Sequence, residues 1–273
     1  EEIPVAEFER VHAERLRWIL GYAREHVPLY RSGPWQHALS VPGTGLEPWP
    51  VLEREVLRAR WKELRAQPRP WRTVTRRTSG SSGTPTKIVL TPHADAWHWA
   101  QRYRGLLWHG IPIGVRSLRL TKHLRPFRDL LLDQSCVPNL DTPEAIATAI
   151  RFIVEQKPSL ISGPPSALFY LARCLRERGV ERPLAPFARV GGEQLFPFQR
   201  VEIENFLGAR TINSYGCTEI GALAAECVAG SMHVCTDHVH LEIFDGASPA
   251  KTGEFGDIVL TGLHNPAMPL VRY

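Results

Sequence analysis

No stretch of this 273-residue sequence approaches the roughly 18 consecutive apolar residues of a membrane-spanning helix, so none is read here. The opening Glu1-Glu2-Ile3-Pro4 has no basic segment and no apolar core, so no secretory signal is visible there. There is no initiator Met, so residues preceding Glu1 are expected to be missing. Lysine is scarce, with Arg supplying most of the 33 basic residues. Against 28 acidic residues they leave a net charge of +5, which suits a protein that handles anions. No basic run is interleaved with aromatics in a recognisable module, so nucleic acid is not an expected partner. Five cysteines, an odd number in a long chain, exclude a disulfide scaffold and favour reduced thiols in a cytoplasmic setting. Cys136 and Cys174 read as small core residues. A hydrophobic content of 43% excludes intrinsic disorder. Internal repeats and low-complexity tracts are absent.

What is present alternates. Residues 5–26 read as a helix, with Phe8, Val11, Arg15, Trp18, Ile19 and Tyr22 near helical spacing and Pro28 as its stop. Residues 32–50, rich in Gly and Pro, read as a surface connection. A short charged helix is expected within 51–65, strands near 74–75 and 88–90, and a helix over 93–108. From Thr142 to Gly216 helix and strand alternate with short links. Thr142-Pro143 is an N-cap pair, and Gly179 stops the helix 166–178. That alternation argues for a parallel sheet covered by helices, with ligands at the carboxyl ends of its strands. After residue 230 alternating strands and Gly-rich turns point to a smaller antiparallel element.

Four stretches carry chemistry. Thr78-Ser79-Gly80-Ser81-Ser82-Gly83-Thr84-Pro85-Thr86-Lys87 offers backbone N–H groups, hydroxyls and a cation to a polyphosphate. It is not a Walker loop, because Gly83 is followed by Thr84-Pro85 rather than Lys and Ser or Thr. It holds no Gly-x-Ser-x-Gly elbow. Gly191-Gly192-Glu193 follows a strand, and two glycines there permit close approach of a flat ligand. Asn213-Ser214-Tyr215-Gly216-Cys217-Thr218-Glu219 supplies an aromatic face, a hydroxyl donor and a hard oxygen ligand for Mg²⁺. Thr252 to Tyr273 reads as a hairpin and an exit strand. Each stretch alone is also an ordinary loop or turn.

Together, in this order, they resemble the adenylate-forming superfamily of acyl-CoA ligases, in its phenylacetate–CoA ligase-like branch. His26-Val27-Pro28-Leu29-Tyr30-Arg31 is similar to that branch's "VPxYR" element. Pro50 to Arg58 is similar to its "P-x-x-x-K-x-D-L-R" stretch, with Arg54 for Lys and Val56 for Asp. The resemblance covers the whole chain. It implies an α/β fold of helix-covered, largely parallel sheets, with a small antiparallel β element over about 230–273.

The resemblance also implies an activity: a carboxylic acid, aryl or arylacetic, is joined to ATP as an acyl-adenylate and passed to a thiol such as coenzyme A. Loading of a carrier-protein thiol, transfer of AMP, or nucleotide binding without catalysis remain alternatives. By the same resemblance, Thr78, Ser79, Gly80, Ser81, Ser82, Gly83, Thr84 and Lys87 hold the β- and γ-phosphates. Tyr215 stacks on adenine beside Gly192, Glu193, Asn213, Ser214 and Gly216. Thr218 meets the α-phosphate and Glu219 binds Mg²⁺. The acyl pocket lies near Gly191, Ile220, Gly221, Ala222 and the 122–127 segment. Members of the family continue past Arg272-Tyr273 into a Gly-Asp, a hinge and a small domain with a catalytic Lys. The expectation is therefore a large N-terminal domain alone, which binds nucleotide and acid but adenylates poorly. Dimers are expected for the branch.

Cys227, His233 and Cys235 form a candidate Zn²⁺ set, since sulfur and imidazole at these spacings suit tetrahedral geometry. Some relatives of the branch place a Cys and a His here.

Overall fold

The computed structural model describes residues 4–40, 45–77, 85–121, 134–137, 140–180 and 184–273. They fall into two compact units. Unit 1 takes Glu1–Gln101, Thr218–Leu223 and Cys235–Tyr273, and unit 2 takes Arg102–Cys217 and Ala224–Val234. The strands, in chain order, are β1 (Val74–Arg77), β2 (Lys87–Leu90), β3 (Ser117–Leu120), β4 (Gln134–Val137), β5 (Leu160–Gly163) and β6 (Phe187–Gly191). They continue as β7 (Arg210–Cys217), β8 (Gly221–Glu226), β9 (Met232–Val234), β10 (Val239–Asp245), β11 (Ser248–Pro249) and β12 (Asp257–Gly262).

Unit 2 holds the parallel sheet that the alternation predicts. A seven-stranded sheet runs β4-β3-β5-β6-β7-β8-β9. The pairings from β4 through β7 are all parallel, and β9 returns antiparallel along β8. The crossover helices begin and end where their signals stand. Thr142 Oγ1 accepts from the Ala145 amide at 3.2 Å, and Pro143 opens the helix Pro143–Gln156. Leu168, Leu171 and Leu175 give the helix Pro165–Glu177 a fully buried stripe, and Gly179 follows it at φ +64°. Gln199 Oε1 accepts from the Phe196 amide at 3.0 Å at the start of Pro197–Leu207, and Gly208 closes that helix at φ +66°. Leu118, Ile153, Ile161, Ala188, Val190 and Ile203 make the core between sheet and helices. Each large side chain so buried contributes about 1.5–3 kcal/mol against exposure.

Unit 1 is built around the N-terminal helix Val5–His26, the antiparallel pair β1–β2 and the antiparallel sheet β11-β10-β12. The helix buries Ile19, Leu20 and Ala23, while Trp18 and Val11 are exposed, so the inward face is rotated from the expected stripe. The reading of 32–50 as a surface connection is corrected. Pro34–Ser40 is a helix, and Trp35, Leu46 and Trp49 are buried. Large aromatics spaced among prolines anchor that segment to the core instead of leaving it in solvent.

Tyr30 explains the neighbouring "VPxYR" element. Its fully buried hydroxyl donates to Pro269 O at 3.0 Å and accepts from the Val271 amide at 3.1 Å. The ring meets Trp49 edge-on at 5.2 Å. Arg272, nearly buried, is paired through Nε and Nη1. It donates to Trp49 O at 2.7 Å and to Glu242 Oε2 at 3.1 Å.

Candidate functional site

In unit 2 the expected nucleotide residues sit at the carboxyl ends of two adjacent parallel strands. The register pairs Val190 with Asn213 and Gly191 with Ser214. Gly191 has a steric reason to lack a side chain: a Cβ there would stand 2.7 Å from Ser214 O. Gly192 follows at φ +86°, with nothing within 4 Å of the Cβ position, which leaves open space beside the strand end. Ser214 Oγ donates to Val190 O at 2.8 Å and ties the two strand ends together. The Asn213 amide donates to Glu226 Oε2 at 2.8 Å, and Arg200 Nη2 holds the same carboxylate at 2.8 and 3.0 Å.

Tyr215 is half exposed at 48%, so its ring face is available to a ligand. Burial of the remainder pushes its phenol up and keeps it protonated. Tyr215 to Cys217 continues β7. Glu193 Oε2 accepts from the Ser166 amide at 3.3 Å, in the first turn of Pro165–Glu177, where a helix N-terminus favours a carboxylate.

In unit 1, Thr218 is half-buried in a turn, and Glu219 and Ile220 are buried. Tyr273 donates its hydroxyl to Glu219 Oε1 at 3.1 Å. Gly221 stands at φ +106°, and a Cβ there would meet the His98 ring at 2.8 Å. His98, His238 and His264 are all buried close by, and a recess brings them together with Glu219 and Ile220. Burial, then the neighbouring Arg76 guanidinium, pushes His98 down to about 3. Burial likewise takes His264 to about 4, against the raising effect of its bond to Asp237 O. Both rings are neutral at pH 7. Lys87 lies exposed on β2 with Nζ 5.2 Å from the centre of the Trp61 ring. Thr78, Ser79, Gly80, Ser81, Ser82, Gly83 and Thr84 lie outside the described residues, as does the 122–127 segment.

The candidate zinc set is corrected. Among the described residues no three His, Cys, Asp or Glu side chains are placed to hold a metal ion. The Cys227 thiol is held by backbone amides of its own turn, chiefly Ser231 and Ala229, which lower its pKa. His233 is exposed on β9, edge-on to Trp108 at 5.8 Å. Cys235 is buried, and its amide donates to Leu223 O at 2.7 Å. Cys174 is buried as expected, whereas Cys136 is only half-buried.

No family model matches the chain. Individual proteins do. A phenylacetate–coenzyme A ligase of Thermus thermophilus is 27% identical over 308 aligned positions, covering 100% of this chain and 65% of the relative. One from Escherichia coli is 26% identical over 313 positions, covering 100% of this chain and 67% of that protein. Over its whole length the chain is similar to phenylacetate–coenzyme A ligases. This ligase-like chain thus spans about 65% of the length of the first of these curated relatives. An open conformation of 2-hydroxyisobutyryl-CoA ligase, in complex with 2-HIB-AMP and CoA, superposes with a TM-score of 0.81 at 21% identity. That match covers 100% of the ligase-like chain and 65% of the solved one. An anthranilate CoA ligase with anthranoyl-AMP gives a TM-score of 0.55 over 70% of the chain and 39% of its own length. Both show the fold.

Glu219 suits Mg²⁺. A single carboxylate whose hydrogen-bond partner among the described residues is a neutral phenol fits a cation that keeps several waters and takes one or two carboxylates beside phosphates. Sequence reasoning passed over His98, His264 and Tyr273. The one sequence signal for any of them is that Tyr273 ends the Thr252-to-Tyr273 stretch of the resemblance. The histidines have none, because an isolated His on a helix or in a turn looks like any other. Among the described residues no helix is long and apolar enough to cross a membrane.

Proposed function

We propose that this chain binds ATP and a carboxylic acid as the acyl-adenylating part of an acid–thiol ligase. In the first step an acid oxygen attacks the α-phosphorus and pyrophosphate leaves. In the second a thiolate, that of coenzyme A, attacks the acyl carbon and AMP leaves. A carboxylate is a poor acylating agent and its mixed anhydride with AMP a good one. In-line attack on phosphorus asks the protein mostly for positioning and charge neutralisation.

The observation that carries this reading is in unit 2. Where the parallel pairing of β6 and β7 ends, Gly191 packs tightly on Ser214 and Gly192 leaves open space, next to the half-exposed Tyr215 of β7. Tyr215 would stack on adenine, with Gly192, Glu193 and the Asn213–Gly216 backbone around it. In unit 1, Thr218 would donate to the α-phosphate and Glu219 would hold Mg²⁺, which supplies charge neutralisation when bound. Lys87 and the Thr78–Thr84 stretch would serve the β- and γ-phosphates. Gly191, Ile220, Gly221 and Ala222 would border the acid. The relatives' name, phenylacetate–coenzyme A ligase, supports an aryl or arylacetic acid.

The test is a melting-temperature panel with non-hydrolysable acyl-adenosine sulfamates: phenylacetyl, benzoyl, long-chain fatty and aminoacyl. A ligand at a hundredfold its dissociation constant adds about 2.7 kcal/mol, which raises the melting point measurably. A rise with the arylacetyl or benzoyl compound is expected. A folded chain that none of the four stabilises would refute the reading.

A further inference from the structure

Positive charge is concentrated in one stretch of unit 1. Ten of the 33 basic residues and two of the 28 acidic ones lie between Arg54 and Lys87, a local charge of +8 in a chain whose total is +5. The rest of the sequence is therefore net acidic, and an anion is drawn to this stretch. Little of the charge is neutralised locally. Glu63 is held by Arg60 at 2.6 and 3.0 Å, and Arg76 by Asp95 at 2.5 Å. Among the described residues no carboxylate pairs with Lys62, Arg65, Arg69, Arg72 or Lys87.

Three of these cations lie over aromatic rings. Trp61, half-buried at the end of the helix Arg54–Arg60, has Arg65 Cζ 6.0 Å and Lys87 Nζ 5.2 Å from its ring centre. Burial, then the neighbouring Arg69, lowers the Arg65 guanidinium from its ordinary value. Like charges gathered at one ring with no carboxylate among them repel one another, and an anion seated between them relieves that repulsion. Two residues along the chain from Arg69, Trp71 is 88% exposed, with Arg72 Cζ 4.5 Å from its ring centre. A tryptophan so exposed buries almost no apolar area of its own, and it presents a broad face to a flat ring.

We propose that Arg65, Arg69 and Lys87, with Trp71, receive the 3′-phosphoadenosine diphosphate end of coenzyme A. The inference rests on the acid–thiol ligase reading and adds where its thiol substrate is held. That end of the molecule carries a phosphate monoester, with a charge of about −1.5 to −2 at pH 7, beside an anionic diphosphate. Arg65 and Arg69 take the phosphates, since a guanidinium offers forked donors that match phosphate oxygens. Trp71 stacks on the adenine. Lys87, assigned above to the phosphates of ATP, is available to the thiol substrate once pyrophosphate has left in the first step. A bare phosphate makes no use of the exposed ring. A nucleic-acid strand stacks successive bases on successive aromatics, whereas Trp71 is the one strongly exposed aromatic between Arg54 and Lys87, which suits a single nucleotide.

The experiment titrates the chain calorimetrically with coenzyme A, 3′-dephospho-coenzyme A, inorganic pyrophosphate and a short single-stranded oligonucleotide. It is repeated on Arg69→Gln and Trp71→Ala, two exposed positions whose substitution leaves the fold standing. Coenzyme A should bind about tenfold or more tighter than its dephospho form, because the monoester gains charge-assisted bonds. Arg69→Gln should shrink that gap to about threefold or less. Trp71→Ala should weaken both compounds by about fivefold or more and leave their ratio, since both carry the adenine. No binding of coenzyme A, equal affinity for the two forms, a gap that survives Arg69→Gln, or unaltered affinities in Trp71→Ala would overturn the inference. Tighter binding of pyrophosphate or of the oligonucleotide than of coenzyme A would overturn it too, and assign the surface to that ligand. Binding of phenylacetyl-adenosine sulfamate, measured on the same chain, keeps the adenylating reading intact through any of those results. Failure of the sulfamate to bind the folded chain would instead remove that reading, and the inference with it.

Discussion

Two side-chain positions test the account at the residue scale. At Gly191 an added methyl would press on the Ser214 carbonyl at 2.7 Å, a backbone atom that cannot rotate away. Gly191→Ala is expected to lower stability by about 1–3 kcal/mol, read by urea denaturation, and to loosen the paired strand ends. Tyr273→Phe removes the hydroxyl that donates to the buried Glu219 carboxylate. A loss of about 1–2 kcal/mol is expected by the same measurement, since the carboxylate would be left without that donor. Some of this was legible in sequence. Gly191 and Gly192 close one strand and Tyr215 lies on the next in chain order, and those two strands pair directly. His98, Glu219 and His264 lie far apart along the chain. Their burial and the tautomers that hydrogen bonds impose are set by long-range packing, which no local pattern encodes.

At the scale of elements, the crossover helices and parallel strands were readable because each carries its own signal. Thr142-Pro143 caps one helix, Gly179 stops another, and the Leu168/Leu171/Leu175 stripe has helical spacing. The Pro34–Ser40 helix was not, since Gly and Pro on both sides read as loop while the decisive fact is burial of Trp35 and Trp49 against distant residues. The stretch of β7 around Asn213 depends on a contact of the same long-range kind. Glu226, on β8, receives both the Asn213 amide and Arg200 from the helix Pro197–Leu207. Arg200→Met is expected to cost about 2 kcal/mol, because a nearly buried carboxylate loses its charged partner. The same substitution should speed amide hydrogen exchange at Asn213 and Ser214, the backbone proposed to border adenine. Unchanged exchange there would show that the Arg200–Glu226 pair does not hold that stretch.

At the scale of the whole molecule, the neutral buried histidines set a pH dependence. His98 titrates near 3 and His264 near 4 when folded, against about 6.5 in an unfolded chain. Below pH 6.5 the unfolded chain therefore binds protons that the folded chain refuses. Stability falls as pH drops from 6.5 toward 4, by up to about 1.4 kcal/mol per pH unit for each ring. Melting temperatures between pH 7.5 and 4.5 should show that decline, and His98→Gln should reduce its slope. A slope unchanged in His98→Gln would mean that the ring is protonated when folded, against the arrangement with Arg76 and Gly221.

The most direct measurement of the central claim is a calorimetric titration of this chain with phenylacetyl-adenosine sulfamate, repeated on Tyr215→Ala. Saturable one-to-one binding is predicted, weakened about tenfold or more in the variant, because a base stacked on an aromatic ring contributes about 1–3 kcal/mol. The variant's melting point should stay within a degree or two, since half of that ring faces solvent. An absence of saturable heat from the folded chain, or equal affinity in Tyr215→Ala, would contradict the account.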